Sequence, residues 1–122
     1  MGKILLWFAG IVFIAYGLAC FLSPELPARL ASLTIEAGDG YAELGAMYGG
    51  LQIGVGVFCL LAGIKANMYR AGLTLLLLGI GLLGIARLYH AFDADWMVTS
   101  YTWGALAFEL VVASLAAVAL KR

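Results

Sequence analysis

Charged residues are scarce in this sequence. They make up 11% of its 122 residues, whereas soluble domains carry roughly 25%. Seven basic residues are balanced by seven acidic ones, which excludes the cationic excess that polyanion binding requires, so no nucleic acid partner is expected. A hydrophobic content of 65% excludes a disordered chain. Together with a mean hydropathy of +1.05, this composition predicts one domain embedded in a membrane.

The sequence contains several long runs of apolar residues. A helix needs about 20 mostly apolar residues to cross the hydrocarbon core. Four segments meet this requirement, at residues 3–22, 41–63, 71–91 and 99–120. Because the loops between them are short, we expect an all-α fold: an integral membrane, antiparallel four-helix bundle formed by one transmembrane domain, residues 1–122.

The first loop is the longest and has its own helix signals. Ser23 is suited to N-cap a helix that has Pro24 at its first position and Glu25 in its first turn. Apolar residues then recur on one face, which predicts a short helix lying at the membrane interface. Asp39 is expected to cap the second span.

Basic residues predict the orientation of the chain. In short loops they mark the cytoplasmic side. Five of the seven fall on the side that holds both termini: Lys3, Lys65, Arg70, Lys121 and Arg122. We therefore expect both termini to be cytoplasmic. Aromatic residues mark the opposite, outer boundary, namely Tyr41, Tyr89, Phe92, Trp96, Tyr101 and Trp103.

Small residues form stripes that predict helix packing, because they let backbones approach closely in lipid. At about 100° per residue, the second span carries two such stripes, which predicts that it contacts two neighbours. One contains Gly45, Gly49, Gln52, Gly56, Cys59 and Gly63, and the opposite one contains Glu43, Gly50 and Gly54. The third span repeats Gly72, Gly79 and Ala86, a line that ends at His90. The fourth stacks Thr102, Ala105, Glu109, Ala113 and Ala116.

Polar residues inside the spans are the main candidates for function. Glu109 lies near the bilayer centre, where an acid costs at least about 2.5–3.5 kcal/mol. Together with other polar side chains in the spans, Glu109 is expected to form a column of polar residues that runs from the outer surface towards the bilayer centre. The candidate site residues are Glu43, Tyr48, Gln52, Arg87, His90 and Glu109.

Two interpretations of this column stay open, an interhelical clasp and a functional pocket. Arg87 keeps its charge, so it should pair with an acid, Glu43 first and Glu109 second. Unless Arg87 reaches it, Glu109 should be neutral and donate a hydrogen bond to Gln52.

The sequence has few candidates for a metal site, a disulfide or a catalytic motif. His90, Asp93 and Asp95 are a weak candidate metal site, and capping explains the same residues, so no metal or other cofactor is expected. Cys20 and Cys59 should lie about 27 Å apart in depth, too far for a disulfide. An enzyme is disfavoured, because there is no H-E-x-x-H, G-x-S-x-G or accessible Cys–His pair.

Several of these residues support a family resemblance. Glu43 with Tyr48-Gly49-Gly50-Leu51-Gln52, the glycines that follow, Arg87-Leu88 and Glu109-Leu110 resemble the bacterial membrane proteins grouped as domain of unknown function 4345. A weaker likeness is to DoxX-like four-helix membrane proteins. The resemblance implies four spans and supports the polar positions, but it implies no reaction and no residue role.

The sequence therefore favours a non-enzymatic membrane protein. Its outward-facing polar pocket would bind a lipid or small amphiphile, or it would act as an accessory subunit of a membrane assembly. The alternative is a dimeric proton- or ion-coupled small-solute transporter that uses Glu109. Expected partners are membrane lipids and a homo-oligomer or larger membrane complex.

Overall fold

The computed structural model describes all residues, 1–122, and contains only helices and their connections. There are five: α1 (Gly2–Leu22), α2 (Glu25–Leu30), α3 (Gly38–Ile64), α4 (Ala66–Asp93) and α5 (Ser100–Lys121). All but α2 are long and apolar enough to cross a membrane. The prediction of an all-α fold with four spanning helices is confirmed, and membrane localisation follows from it.

Three spanning helices extend beyond their predicted bounds, and the fourth, α5, is shifted by one residue towards the C-terminus. The largest difference is at α4, which begins at Ala66 with a 3-10 turn, five residues before the predicted start. The second span begins at Gly38, so Asp39 lies in its first turn rather than at the cap, which is Ala37. An acid in the first turn still favours the positive end of the helix dipole.

The short helix in the first loop is present as α2. It begins at Glu25, one residue later than predicted, and the Ser23 hydroxyl donates to the Glu25 carboxylate at 3.3 Å instead of capping the backbone. At its other end, Ser32 has a φ of 57° and Leu33 N–H bonds to the Ala28 carbonyl at 2.7 Å. This is a Schellman closure, here with serine in the left-handed position that glycine usually fills.

Two of the spanning helices contain a π-helical turn, which the sequence analysis did not anticipate. The turns are Gly45–Gly50 in α3 and Leu76–Ile80 in α4. A π turn holds one more residue than an α turn. Beyond it, the residue that faces a given direction stands one position later in the sequence.

The chain divides into two compact units. One comprises Trp7–Leu61, and the other comprises Met1–Leu6 with Ala62–Arg122. We call them the first and the second unit.

In the first unit, α1 and α3 pack antiparallel through glycines. A Cβ at Gly56 would lie 2.7 Å from the Gly10 carbonyl oxygen, and one at Gly49 would lie 2.9 Å from the Phe21 Cα. The first predicted glycine stripe is confirmed at these two positions of α3, whereas a Cβ at Gly45 would meet nothing within 4 Å. The opposite stripe is wrong as a packing surface, because Gly50 and Gly54 are exposed and a Cβ at Gly54 would meet nothing within 4 Å.

In the second unit, α4 and α5 pack antiparallel. The buried line on α4 begins at Gly72 as predicted but continues through Ile80, Gly81, Gly84 and Ala91. The predicted continuation through Gly79, Ala86 and His90 is wrong, and all three are exposed. The π turn explains this, since buried positions beyond it stand one residue later than a regular helix would place them. On α5 the predicted face is correct at Glu109, Ala113 and Ala116, which are buried.

Candidate functional site

Glycines on α4 bring α5 close enough for a polar pair to form. A Cβ at Gly81 would lie 3.3 Å from the Ala113 Cβ, and one at Gly84 would lie 3.2 Å from both the Glu109 Cβ and a Leu110 methyl. These distances are tighter than ordinary van der Waals contact. The two helices therefore approach most closely beside Glu109, and this approach depends on side chains being absent from α4.

Arg87 and Glu109 form a bidentate ion pair at this crossing. The Arg87 Nε donates to Glu109 Oε2 at 2.9 Å, and Nη2 donates to Oε1 at 2.7 Å. Two parallel bonds match the planar fork of the guanidinium to both carboxylate oxygens. The carboxylate that the sequence ranked second is thus a partner of Arg87.

The two members of the pair differ in exposure. The Glu109 side chain is 6% exposed, whereas that of Arg87 is 23% exposed. The carboxylate is therefore enclosed and fixes the guanidinium, while part of the Arg87 side chain stays accessible. Both charges lie within spanning helices, where breaking such a pair is strongly destabilising.

The expectation of a neutral Glu109 that donates to Gln52 does not apply. It was made for the case that Arg87 does not reach the carboxyl group, and two hydrogen bonds join Arg87 to Glu109. The guanidinium supplies the donors of both bonds, so both carboxyl oxygens of Glu109 act as acceptors in this pair.

The other polar candidates on the second span lie in the first unit. Glu43 is exposed, near the start of α3. Tyr48 is half-buried inside the π turn, and Gln52 is half-buried just beyond it. The Gln52 Cβ would lie 3.0 Å from a Cβ placed on Gly17, so Gln52 stands at the contact with α1. The polar column that would join these residues to Arg87 and Glu109 stays a prediction.

The weak metal candidate is wrong. His90, Asp93 and Asp95 are all exposed, and they form no group that could hold a metal ion. Asp95, with a φ of 52°, instead closes α4: its N–H bonds to the Phe92 carbonyl at 3.0 Å. Helix termination separates the side chains that a metal would need to converge.

Aromatic side chains cluster at the same end of the second unit. Trp96 stacks on Trp103 with ring centroids 5.8 Å apart, and Phe92 meets Trp96 edge to face at 5.7 Å. All three are exposed. The sequence predicted them as part of an aromatic boundary but gave no sign that they contact each other, because the contact depends on how the loop after α4 turns back.

An apolar groove also runs between α4 and α5. It has a volume of about 380 Å³ and is lined by positions 77–85 and 110–117. Its lining residues Ile85 and Leu110 stand within two positions of Arg87 and Glu109, so the groove ends at the depth of the ion pair. Nothing in the sequence identified it, since it is created by the close crossing at Gly81 and Gly84.

The two free cysteines agree with the prediction that no disulfide forms. Cys20 and Cys59 are both fully buried. They act as small apolar packing residues.

Comparison with known proteins gives one match. No curated protein and no solved structure matches the chain. The model of one protein family, described as a domain of unknown function (DUF4345), matches residues 1–120. This range contains the ion pair, both π turns and all four spanning helices. The chain therefore belongs to the DUF4345 family.

Proposed function

We propose that this protein is a non-enzymatic membrane protein that binds a lipid or small amphiphile through the Arg87–Glu109 pair. The single observation that carries the proposal is the unequal burial of the pair. Glu109 is enclosed and engages the guanidinium with two hydrogen bonds, yet the Arg87 side chain is still 23% exposed. A fixed and partly accessible cation is suited to receiving the oxygen atoms of a polar headgroup.

The apolar groove supports an amphiphile rather than a small polar solute. Small-molecule sites in proteins have volumes of about 300–1,000 Å³ and are mostly apolar. The groove between α4 and α5 has about 380 Å³, and Ser114 is the one residue with a polar side chain in its lining. The groove has room for a hydrocarbon chain, and it ends at the depth of the charged Arg87–Glu109 pair.

The geometry weighs against the alternative, a proton- or ion-coupled transporter. A protonated Glu109 would have to give up its ionic bonds to Arg87 in every cycle. Removing one charge from a buried pair destabilises a protein by about 3–5 kcal/mol. A binding role needs no such step. It also accommodates an accessory subunit whose bound lipid forms part of a larger assembly.

The binding test compares lipids retained by purified variants. Wild type, Arg87→Gln and Arg29→Gln are delipidated in mild detergent, and the remaining amphiphiles are counted by native mass spectrometry. Arg29 is the matched control, because it is an exposed arginine on α2 and its replacement removes the same charge. Retention in wild type and Arg29→Gln, with loss in Arg87→Gln, is expected. Equal retention in all three would contradict the proposal.

We further propose that the protein lies in a bacterial cytoplasmic membrane with both termini cytoplasmic. Five basic residues on one side support this orientation. The test labels Gly38→Cys and Ala66→Cys with an impermeant maleimide after both native cysteines are replaced by serine. Residue 38 should react in intact cells and residue 66 only after permeabilisation. The reverse pattern would show the opposite orientation.

A further inference from the structure

Positive charge is concentrated at one end of the second unit. This is the end where α1 and α4 begin and α5 finishes, and its basic residues are Lys3, Lys65, Arg70, Lys121 and Arg122. The acidic residues of the same unit are elsewhere. Asp93 and Asp95 lie at the far end of α4, and Glu109 is paired with Arg87. The basic end therefore has no carboxylate side chain of its own to neutralise it.

This end also contains a pocket. Its volume is about 410 Å³, and it is lined by Met1, Gly2, Tyr69, Arg70, Ala119 and Arg122. Tyr69 packs against Gly2, where a Cβ would collide with the tyrosine hydroxyl and the Tyr69 side chain would have to move. The lining of this pocket thus contains one tyrosine, Tyr69, and two arginines, Arg70 and Arg122.

Arg70 is held in position without being neutralised. Its Nη1 donates to the Leu120 carbonyl at 3.3 Å, near the end of α5, where the helix dipole favours a cation. The Thr74 hydroxyl donates to the Arg70 carbonyl at 2.8 Å. A guanidinium has five N–H groups, so further donors of Arg70 are available to a ligand after this bond is made.

We propose that this pocket binds the phosphate of an anionic phospholipid headgroup. Arginine is suited to phosphate because its planar fork makes bidentate, charge-assisted hydrogen bonds. Exposed apolar side chains at the same end, Ile4 at 74% and Ile64 at 62%, belong to helices that could cross a membrane. Basic pockets at the ends of spanning helices bind the headgroups of anionic lipids.

The test measures lipid preference in variants of equal charge. Purified protein is titrated with phosphatidylglycerol or phosphatidylcholine of identical acyl chains, and bound lipid is counted by native mass spectrometry. The pocket variant is Arg70→Gln with Arg122→Gln. The control, Lys65→Gln with Lys121→Gln, removes two charges from the same end at residues that do not line the pocket.

Wild type should prefer phosphatidylglycerol, and the pocket variant should bind it at least about tenfold more weakly than the control, since only that variant loses charge-assisted hydrogen bonds to phosphate. Arg70→Lys with Arg122→Lys keeps both charges but loses the bidentate fork, so its binding of phosphatidylglycerol should lie between that of wild type and that of the pocket variant. Arg29→Gln removes an exposed arginine that does not line the pocket and should leave the preference unchanged.

Three results would overturn the proposal. Equal losses in the pocket variant and the control would assign the preference to general surface charge. Binding by the lysine variant as tight as that of wild type would assign the preference to charge alone, without the bidentate bonds of arginine. Displacement of phosphatidylglycerol by millimolar inorganic phosphate would assign the pocket to free phosphate instead of lipid.

Discussion

Replacing Glu109 by glutamine should destabilise the protein mainly through the loss of its interaction with Arg87. The variant keeps the shape of the side chain but removes the charge that accepts two hydrogen bonds, of 2.7 and 2.9 Å. Interhelical hydrogen bonds in membranes contribute about 0.6 kcal/mol each on average. Bonds to charged groups contribute about 1.5–3 kcal/mol. The bidentate pair should therefore show a coupling energy between about 1 and 3 kcal/mol.

A double-mutant cycle measures this coupling. The free energy of unfolding is determined by steric trapping for wild type, Glu109→Gln, Arg87→Gln and the double variant. The double variant should lose less than the sum of the singles, because each single leaves a partner without its ionic bond. Ser114→Ala combined with Arg87→Gln is the control, since Ser114 is exposed on α5 and has no bond to Arg87. Additive losses at Arg87 and Glu109, within about 0.5 kcal/mol, would refute the argument.

Two further predictions concern helix packing. Gly56→Ala should destabilise α1–α3 packing by about 1–3 kcal/mol, because its Cβ would meet the Gly10 carbonyl. Gly54→Ala, whose Cβ would meet nothing within 4 Å, should be neutral or stabilising by up to about 1 kcal/mol. Equal melting temperatures of the two variants would contradict this prediction. Deleting Leu78 from the π turn should be tolerated better than deleting Ile85, although their exposures are 57% and 58%, because only the first deletion restores a regular helix. Equal loss of folded protein on size exclusion would count against the π turn as the cause of the shifted face.

The spanning helices were predictable from sequence because their signal is long and redundant. Each span is marked by about 20 apolar residues, so no single residue decides whether it is recognised. All four segments were found, with errors of up to five residues at their ends. The placement of Glu109 on the small-residue face of α5 was predictable for a related reason. That helix has no π turn before Glu109, and the spacing of 3.6 residues per turn holds along it.

The packing face of α4 was not predictable. The line of small residues was predicted from Gly72 onward with the same rotation of about 100° for every residue. The π turn at Leu76–Ile80 changes this rotation, so the buried residues after Gly72 differ from the predicted ones. No residue in that turn distinguishes it from an α turn in the sequence. The groove between α4 and α5 was missed for the same reason, since it depends on the crossing at Gly81 and Gly84.

The candidate site was predictable in its residues but not in its pairing. Arg87 and Glu109 were identified because charges inside a membrane need partners. Glu43 was ranked ahead of Glu109 by depth alone, and depth says nothing about how closely two helices approach. The close contact at Gly84 brings Glu109 within reach of Arg87. The metal candidate at His90 failed because sequence spacing did not reveal the helix termination that follows it.

The central claim is that Arg87 is a binding residue and that Glu109 positions it. The most direct measurement exchanges the two charges, with Arg87→Glu and Glu109→Arg in one chain, and determines both melting temperature and retained amphiphile. The exchange restores an ion pair between α4 and α5 but moves the cation to the enclosed position. We predict a melting temperature above that of either single substitution and loss of the retained amphiphile. Recovery of both properties would show that the pair only joins the two helices, and would contradict the claim.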